Sequence, residues 1–391
     1  MTELERKALL PAGLRDILPP VAGFEAEICE TLAASFASHG YDRVKPPLVE
    51  FEDSLMSGAG AAVSGDTFRL MDPVSQRMMG VRADMTTQVA RIALTRLTDM
   101  PRPLRLSYTG EVLRIRGTQL RPERQFAQVG AELIGAASAA ADIEIIAIAV
   151  DSLRAIGIPA LSVDLNIPPL VSALIDEAGM SDDERAALRD ALDRKDVASV
   201  RERGGDHADA LCSLMDGTGP AAGALAVLDG LSLPAAPAGE LARLRAVAEG
   251  LAQRIPDLDI TIDPVENRGF EYHTGVGFTF FSRGERGEIG SGGRYRATLN
   301  GAEAGNDNGE AATGFTLYVD TIIRVLPEPD PGARLFVPYG STGGTDLATL
   351  RDGGWVTVAG LDGDADPESE AHRLGCSHIW ISGKPKALEQ E

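Results

Sequence analysis

The sequence predicts an α+β fold built on an antiparallel sheet, and two observations carry that prediction. In the main body, segments with strand patterning outnumber helices able to serve as crossovers. Many neighbouring strand segments are separated by only a short turn, which antiparallel pairing accepts and parallel pairing does not.

Phe24, Ile28, Leu32 and Phe36 recur every fourth residue and Gly40 follows, the pattern of an amphipathic helix with a glycine stop. DRVKPPLVEF then reads as extended chain. Pro46 and Pro47 lack the amide hydrogens of a central ladder, so this segment belongs at an edge or an interface. DTFRLMD and RMMGVRAD are two short strands, and MTTQVARIALTRL is a helix. PLRLSYTGEVLRI and QFAQVGAELIG are two strands flanking a loop with Arg114, Arg116, Arg121 and Arg124. DIEIIAIAVDSLRAIG is a helix with Ile143, Ile146, Val150 and Leu153 on one face, and LSVDLN is a strand. From about residue 167 to 256 the composition shifts to Ala, Leu, Asp and Arg, which marks a helical insertion; Ser181 and Glu184 there have capping-box spacing. Strand patterning returns in DITIDPV and in TGVGFTFF, where Val276, Phe278 and Phe280 alternate. GEIGSGGRY, a polar loop GAEAGNDNGEAA and TGFTLYVDTIIRVL, helical at its end, complete a first domain over residues 1–326. LPEPDPGA is a proline-rich linker, and residues 333–391 read β-α-β-α-β, a small parallel unit.

Composition excludes several classes. The 58 acidic and 37 basic residues leave a net charge of −21, the wrong sign for a broad nucleic-acid surface. Cys29, Cys212 and Cys376 are scattered thiols without a CxxC pair, which fits a reducing cytoplasm and no cysteine zinc site. The 5 histidines lack HExxH or paired spacing, so no metal is expected. GSGGRY lacks dinucleotide-loop spacing and no GxxxxGK[ST] opens a helix, so no cofactor is expected. The start of the chain is charged and broken by prolines, unlike a secretory signal, and no apolar run approaches the ~20 residues that span a bilayer. The expectation is a cytoplasmic protein without a membrane segment.

Three stretches place polar groups inside apolar patterns. GVRADMTTQ offers Arg82, Asp84 and Thr86. QFAQVGAELIG offers Gln128, Gly130 and Glu132 at every second residue, hence on one face of a strand. ENRGFEYHTG offers Arg268, Glu271, Tyr272 and His273. Patterning alone leaves two readings open: solvated faces of separate strands, or one pocket floor for a small zwitterion. In the second, acid and amide oxygens take the ammonium, an arginine takes the carboxylate, and Glu132 meets a donor on the ligand side chain. The arginine loop is likewise either a solvated tip or an anion site.

Taken together and in order, LPAGLRDILPP, GYDRVKPPLVEF, GVRADMTTQVAR, EVLRIRGTQLRPERQFAQVGAELIG, NRGFEYHTG, GSGGRYRATL and TGFTLYVDTI resemble the histidyl-tRNA synthetases, with class II motifs 1, 2 and 3 and two histidine-specific segments. The resemblance covers roughly residues 9–326 and implies a class II aminoacyl-tRNA synthetase-like core. It places Asp84 where the family binds the ligand ammonium through a glutamate, with Thr86 and Gln128 near the same group. Glu132 matches the acid facing the imidazole and Arg268 the arginine beside the carboxylate. Tyr272 and His273 stand at a tyrosine pair, and Tyr295 matches the tyrosine of the glycine-rich segment. Arg114 is counted both with this histidine set and with the nucleotide set.

The nucleotide set departs from the pattern. Arg114, Arg124 and Phe126 match positions for the α-phosphate, the outer phosphates and the stacked adenine. Arg116 replaces a glutamate that contacts adenine, Thr321 replaces an arginine that holds the γ-phosphate, and Tyr318 fills a glycine position. Residues 333–391 resemble a shortened anticodon-binding domain that is not basic. This combination resembles the synthetase paralogues that serve as regulatory subunits of ATP phosphoribosyltransferase. It implies a non-catalytic subunit: a homodimer, formed through the motif 1 segment PPLVEF, inside a hetero-octamer with the short catalytic subunit. It also implies histidine as feedback effector in the first step of histidine biosynthesis, and no tRNA. Two other readings are a divergent histidyl-tRNA synthetase or amino-acid-adenylating enzyme, and a stand-alone amino-acid sensor or tRNA-binding module.

Overall fold

A computed structural model describes residues 9–56, 64–118, 121–177, 179–266, 272–299, 309–329, 332–341, 344–363 and 366–389. They group into two compact units, one ending at Pro327 and one running from Glu328 onward together with Pro19–Val21.

In chain order the first unit holds α1 (Val21–Ser38), β1 (Asp42–Arg43), β2 (Val49–Phe51), α2 (Glu52–Leu55), β3 (Arg69–Met71), β4 (Met78–Val81), α3 (Thr86–Thr95), β5 (Leu104–Leu113), β6 (Gln125–Ile134), α4 (Ala139–Ala155) and β7 (Leu161–Asn166). It continues with α5 (Pro168–Glu177), α6 (Asp182–Asp193), α7 (Val197–Arg203), α8 (Ala208–Asp216), β8 (Gly219–Pro220), α9 (Ala221–Leu228), α10 (Ala235–Arg254), β9 (Asp259–Ile262), β10 (Gly277–Ser282), β11 (Gly290–Ala297), β12 (Glu310–Tyr318) and α11 (Val319–Val325). A nine-stranded sheet in the order β1-β5-β6-β12-β11-β10-β7-β9-β8 organises them. From β5 to β7 every neighbouring pair is antiparallel.

The two faces of β6 follow its alternation. Ala127, Val129, Ala131 and Leu133 join a large core with Leu32 and Phe36 of α1 and with Ile145, Ile146 and Leu153 of α4. Phe126 and Ile134 face a second core with Val89, Ala90 and Ala93 of α3. Each fully buried Leu or Phe contributes roughly 1.5–3 kcal/mol, so both helices are held by packing more than by propensity. The end of α1 is set by Gly40, whose φ of +82° suits only glycine comfortably. The amides of Gly40 and Tyr41 return to the carbonyls of Ala37 and Phe36, closing a Schellman motif. Ser181 and Glu184 form the capping box their spacing predicts.

The helices from α5 to α10 add Leu170, Leu174, Leu188, Leu244 and Leu251 to the sheet's own core. At Gly250 a β-carbon would overlap Ile143 Cδ1, so α10 approaches α4 closely there. Two boundaries differ from the sequence reading. The two-residue β8 lies within the helical stretch and pairs with β9. Strand β12 begins at Glu310, inside the segment read as polar loop, because β6 and β11 supply partners on both sides. Residues 301–308 of that segment lie outside the described residues.

The proline pair sits between edges: β1 is the outer strand beside β5, and β2 is an outer strand of a three-stranded sheet β2-β4-β3. Arg82 donates to the carbonyls of Glu111 (2.7 Å) and Pro46 (3.0 Å), and Gln88 donates to that of Pro47 (2.8 Å). Gly110 leaves the room Arg82 needs. Arg82 therefore secures the proline segment to β5.

The second unit holds β13 (Arg334–Val337), α12 (Gly344–Asp352), β14 (Val356–Ala359), α13 (Pro367–Arg373), β15 (His378–Ile381) and β16 (Lys384–Ala387). Its sheet runs β14-β13-β15-β16, and the antiparallel β16 adds an edge to the expected β-α-β-α-β. Among the described residues, no helix of either unit is long and apolar enough to cross a membrane.

One buried ion pair fastens α4 to the sheet. Arg294 of β11 meets Asp142 at 2.8 and 3.1 Å and donates to the carbonyls of Ala136 and Ser138. Both side chains are almost fully buried. Removing one partner strands the other charge, so Asp142→Ala should cost about 3–5 kcal/mol in urea unfolding. Asp142→Asn, which retains an acceptor for Arg294, should cost less.

Candidate functional site

The register of four neighbouring strands lays out the site as rows. Glu132 lies opposite Gly314 on one side and Leu106 on the other; Gly130 lies between Thr316 and Tyr108; Gln128 lies between Tyr318 and Gly110. On the far side of β12, Gly293 faces Gly314 and Ser291 faces Thr316. Successive rows are ~7 Å apart, since alternate residues of a strand share a face. Phe126 forms the next row beyond Gln128.

Glu132 occupies the deep end. Its carboxyl group accepts from Tyr295 Oη at 2.9 Å and makes a longer contact of 3.5 Å with Tyr108 Oη. A β-carbon at Gly314 would overlap Glu132 Oε2, and one at Gly130 would overlap the Tyr108 phenol. These two glycines are therefore spaces for specific side chains. The phenol is pinned by Thr316 Oγ1 at 2.7 Å. Burial pushes the Glu132 carboxyl up to about 8, against the opposing effect of its hydroxyl donors, so it is protonated at neutral pH. Burial, with Glu132 close by, also keeps Tyr108 and Tyr295 protonated.

Asp84 stands nearer the mouth. Its carboxylate accepts from the Thr86 amide at 2.8 Å and from Gln128 Nε2 at 3.0 Å. Asp84, Thr86, Glu132, Tyr272, His273 and Tyr295 border one cleft, as does Tyr318, whose register row lies two rows from that of Glu132. Gln128 and Arg114 do not border it; Gln128 acts on the cleft by holding Asp84. His273 is buried against Gly293 and tilted on Tyr272 at 4.3 Å, and desolvation lowers its ring to about 3, hence a neutral imidazole. Arg268 and Glu271 lie outside the described residues. Arg82, grouped with Asp84 by sequence, instead serves the proline segment. A deep neutral acid with a shallower carboxylate suits a ligand carrying a proton-accepting side chain and an ammonium.

The arginine loop is not a solvated tip throughout. Arg124 donates to the carbonyls of Arg114 and Ala12, and its guanidinium lies 5.1 Å from the Phe68 ring. Arg114 lies 5.2 Å over Phe126, while Arg116 is exposed. Arg121 is buried: it pairs with Glu288 at 3.1 Å and Asp320 at 3.4 Å, and its guanidinium lies 3.6 Å over the Tyr318 ring. Phe126, edge-on to Tyr318 at 6.2 Å, is only 3 % exposed. Thr321 is buried and accepts from Arg324 at 3.2 Å. Among the described residues no cluster of His, Cys, Asp and Glu could hold a metal ion.

Sequence reasoning missed Tyr108, Thr316, Gly314 and the burial of Arg121. A signal existed for the first: Ser107, Tyr108 and Thr109 are consecutive polar groups inside a segment with strand patterning.

A family model for histidyl-tRNA synthetase matches residues 13–322. The ATP phosphoribosyltransferase regulatory subunit of Rhodospirillum centenum is 52 % identical over 98 % of this chain and 97 % of its own length. The protein of the same name from Paramagnetospirillum magneticum is 54 % identical, covering 97 % of each. A crystal structure from Bacillus halodurans, described as an ATP phosphoribosyltransferase regulatory subunit/histidyl-tRNA synthetase, is 25 % identical with a TM-score of 0.79, covering 93 % of this chain and 96 % of that one. On the fold, the ordered motifs and these matches, the chain belongs to the histidyl-tRNA synthetase family, among its ATP phosphoribosyltransferase regulatory subunits.

Proposed function

We propose that the chain is a non-catalytic regulatory subunit of ATP phosphoribosyltransferase, required by a short catalytic subunit and responsive to histidine. The observation that carries this reading is near-full-length similarity above 50 % to proteins named for that role. The site supports it from both ends. The Glu132–Tyr295–Asp84 arrangement suits an imidazole at one end and an ammonium at the other. By the resemblance, Arg268 would be the carboxylate partner, with Arg114 counted in the same set. At the nucleotide positions, Arg116 brings a cation where an acceptor is needed, and Thr321 withholds the charge a γ-phosphate needs. A cytoplasmic homodimer inside a hetero-octamer, with the PPLVEF segment at the homodimer interface and no tRNA, completes the reading. Residues 1–326 act as the ligand-binding domain, with 167–256 as its helical insertion and 333–391 as a reduced anticodon-type unit.

Histidine recognition at Glu132 requires one shared proton. Burial holds the carboxyl up to about 8, and a free imidazole titrates near ~6.5. Between these values the acid brings the proton and the imidazole accepts it. Whether the pair then sits as acid and imidazole or as carboxylate and imidazolium, the count is the same. Below ~6.5 the free ligand arrives with a second proton, and above about 8 the carboxyl has lost its own.

Calorimetry should therefore show histidine affinity highest between ~6.5 and about 8, falling about tenfold per pH unit on either side. Glu132→Ala should weaken binding roughly 10- to 100-fold at pH 7 by removing the buried partner. Phosphoribosyl transfer by a short catalytic subunit should rise on adding this chain and fall with histidine. Histidine-dependent pyrophosphate–ATP exchange by the purified chain would instead establish an adenylating enzyme.

A further inference from the structure

We infer that Tyr318, braced by Arg121, is an end wall that restricts the cleft to a free amino acid and shuts out ligands extended beyond the carboxyl group. The inference rests on the histidine reading for the ligand's orientation. Glu132 at the deep end takes the side chain, and Asp84, tied to Gln128, takes the ammonium. The carboxyl end then points along the rows toward Gln128, Tyr318 and Phe126.

Tyr318 closes that direction. It lies opposite Gln128 in the register and borders the cleft. Its hydroxyl bonds Ser291 Oγ at 2.9 Å, spanning from β12 to β11. Its ring stands edge-on to Phe126, and the Arg121 guanidinium covers it at 3.6 Å. Arg121 cannot swing aside cheaply. It is buried, and leaving Glu288 and Asp320 would strand two acids, one of them also buried. Side chain, hydroxyl tether and guanidinium brace together fill the space between the amino-acid rows and Phe126. A flat group attached to the ligand carboxyl would have to occupy the volume of the Tyr318 ring.

The wall has a chemical consequence. The site admits the free carboxylate but rejects esters, aryl amides and acyl-nucleotides of the same amino acid. Arg121 acts here as a positioning residue, since it stacks on Tyr318 and does not border the cleft.

Calorimetry with L-histidine and with L-histidine β-naphthylamide on the full chain tests this. The wild type should bind histidine and bind the aryl amide at least about 100-fold more weakly. Tyr318→Gly should recover about tenfold or more of the aryl-amide affinity while still binding histidine. Tyr318→Leu, a milder change should the glycine variant fail to fold, should recover part of it. Arg121→Ala should shift the aryl amide and leave histidine nearly unchanged. Wild-type affinities within about tenfold of each other would overturn the wall. So would a Tyr318→Gly or Tyr318→Leu variant that binds histidine yet gains nothing for the aryl amide. A wild type that binds neither ligand overturns the histidine reading itself, and the wall with it.

Discussion

Burying one carboxyl group in the centre of an antiparallel sheet is the constraint from which the rest of the site follows. Glu132 sits on a strand covered on both faces, where an unpaired anion would be very costly. The fold meets this in two ways at once. Burial leaves the group protonated at neutral pH, and phenols from β5 and β11 supply hydrogen bonds. Each device demands room, and the room comes from glycines on facing strands: Gly314 beside the carboxylate, and Gly130 beneath Tyr108. The site is thus a set of mutually dependent choices spread over four strands, and none of them makes sense alone.

That dependence explains which parts were legible in the sequence. Elements with their own periodicity could be read directly: α1 with its glycine stop, the strands β5 and β6, the helical stretch after β7. The alternation of Gln128, Gly130 and Glu132 placed them correctly on one face. The purpose of Gly130 could not be read, because it answers to Tyr108 across a register that local patterning does not fix. Gly314 is the same case on the other side. Strand β12 starts in a segment with poor strand propensity because two neighbours impose pairing on it. Strand β16, Lys384–Ala387, is an edge of Lys, Pro, Lys and Ala with little apolar alternation to betray it.

Arg121 was visible from the start and its environment was not. An arginine in a basic loop reads as solvated, and a buried one needs acids to neutralise it. Here those acids are Glu288 and Asp320, from segments far along the chain. Four arginines in one loop have therefore diverged into separate physical roles. Arg124 braces backbone, Arg121 is sealed under two acids, Arg114 lies over Phe126, and Arg116 remains in solvent. Counting charge in a window could not separate them, because their fates are set by what folds against each one.

Regulation asks less of a site than catalysis does. An adenylating enzyme must hold an amino acid and a nucleotide so that charge developing between them is stabilised. A sensor needs only one ligand and a difference in its affinity for two states of the assembly. On the regulatory reading no nucleotide has to be held, and the Phe126 end of the sheet face is freed from the need to stay open. An aromatic side chain at position 318, where the synthetase pattern has glycine, can fill that space with packed ring, guanidinium and ion pair. The filling also ties the ligand cleft to the loop: Tyr318 touches the cleft on one side and Arg121 on the other, and Arg121 belongs to the loop that leads into β6. A ligand that shifts Tyr318 acts on a packed, charge-neutralised unit, and such a unit changes between discrete arrangements more readily than it deforms gradually.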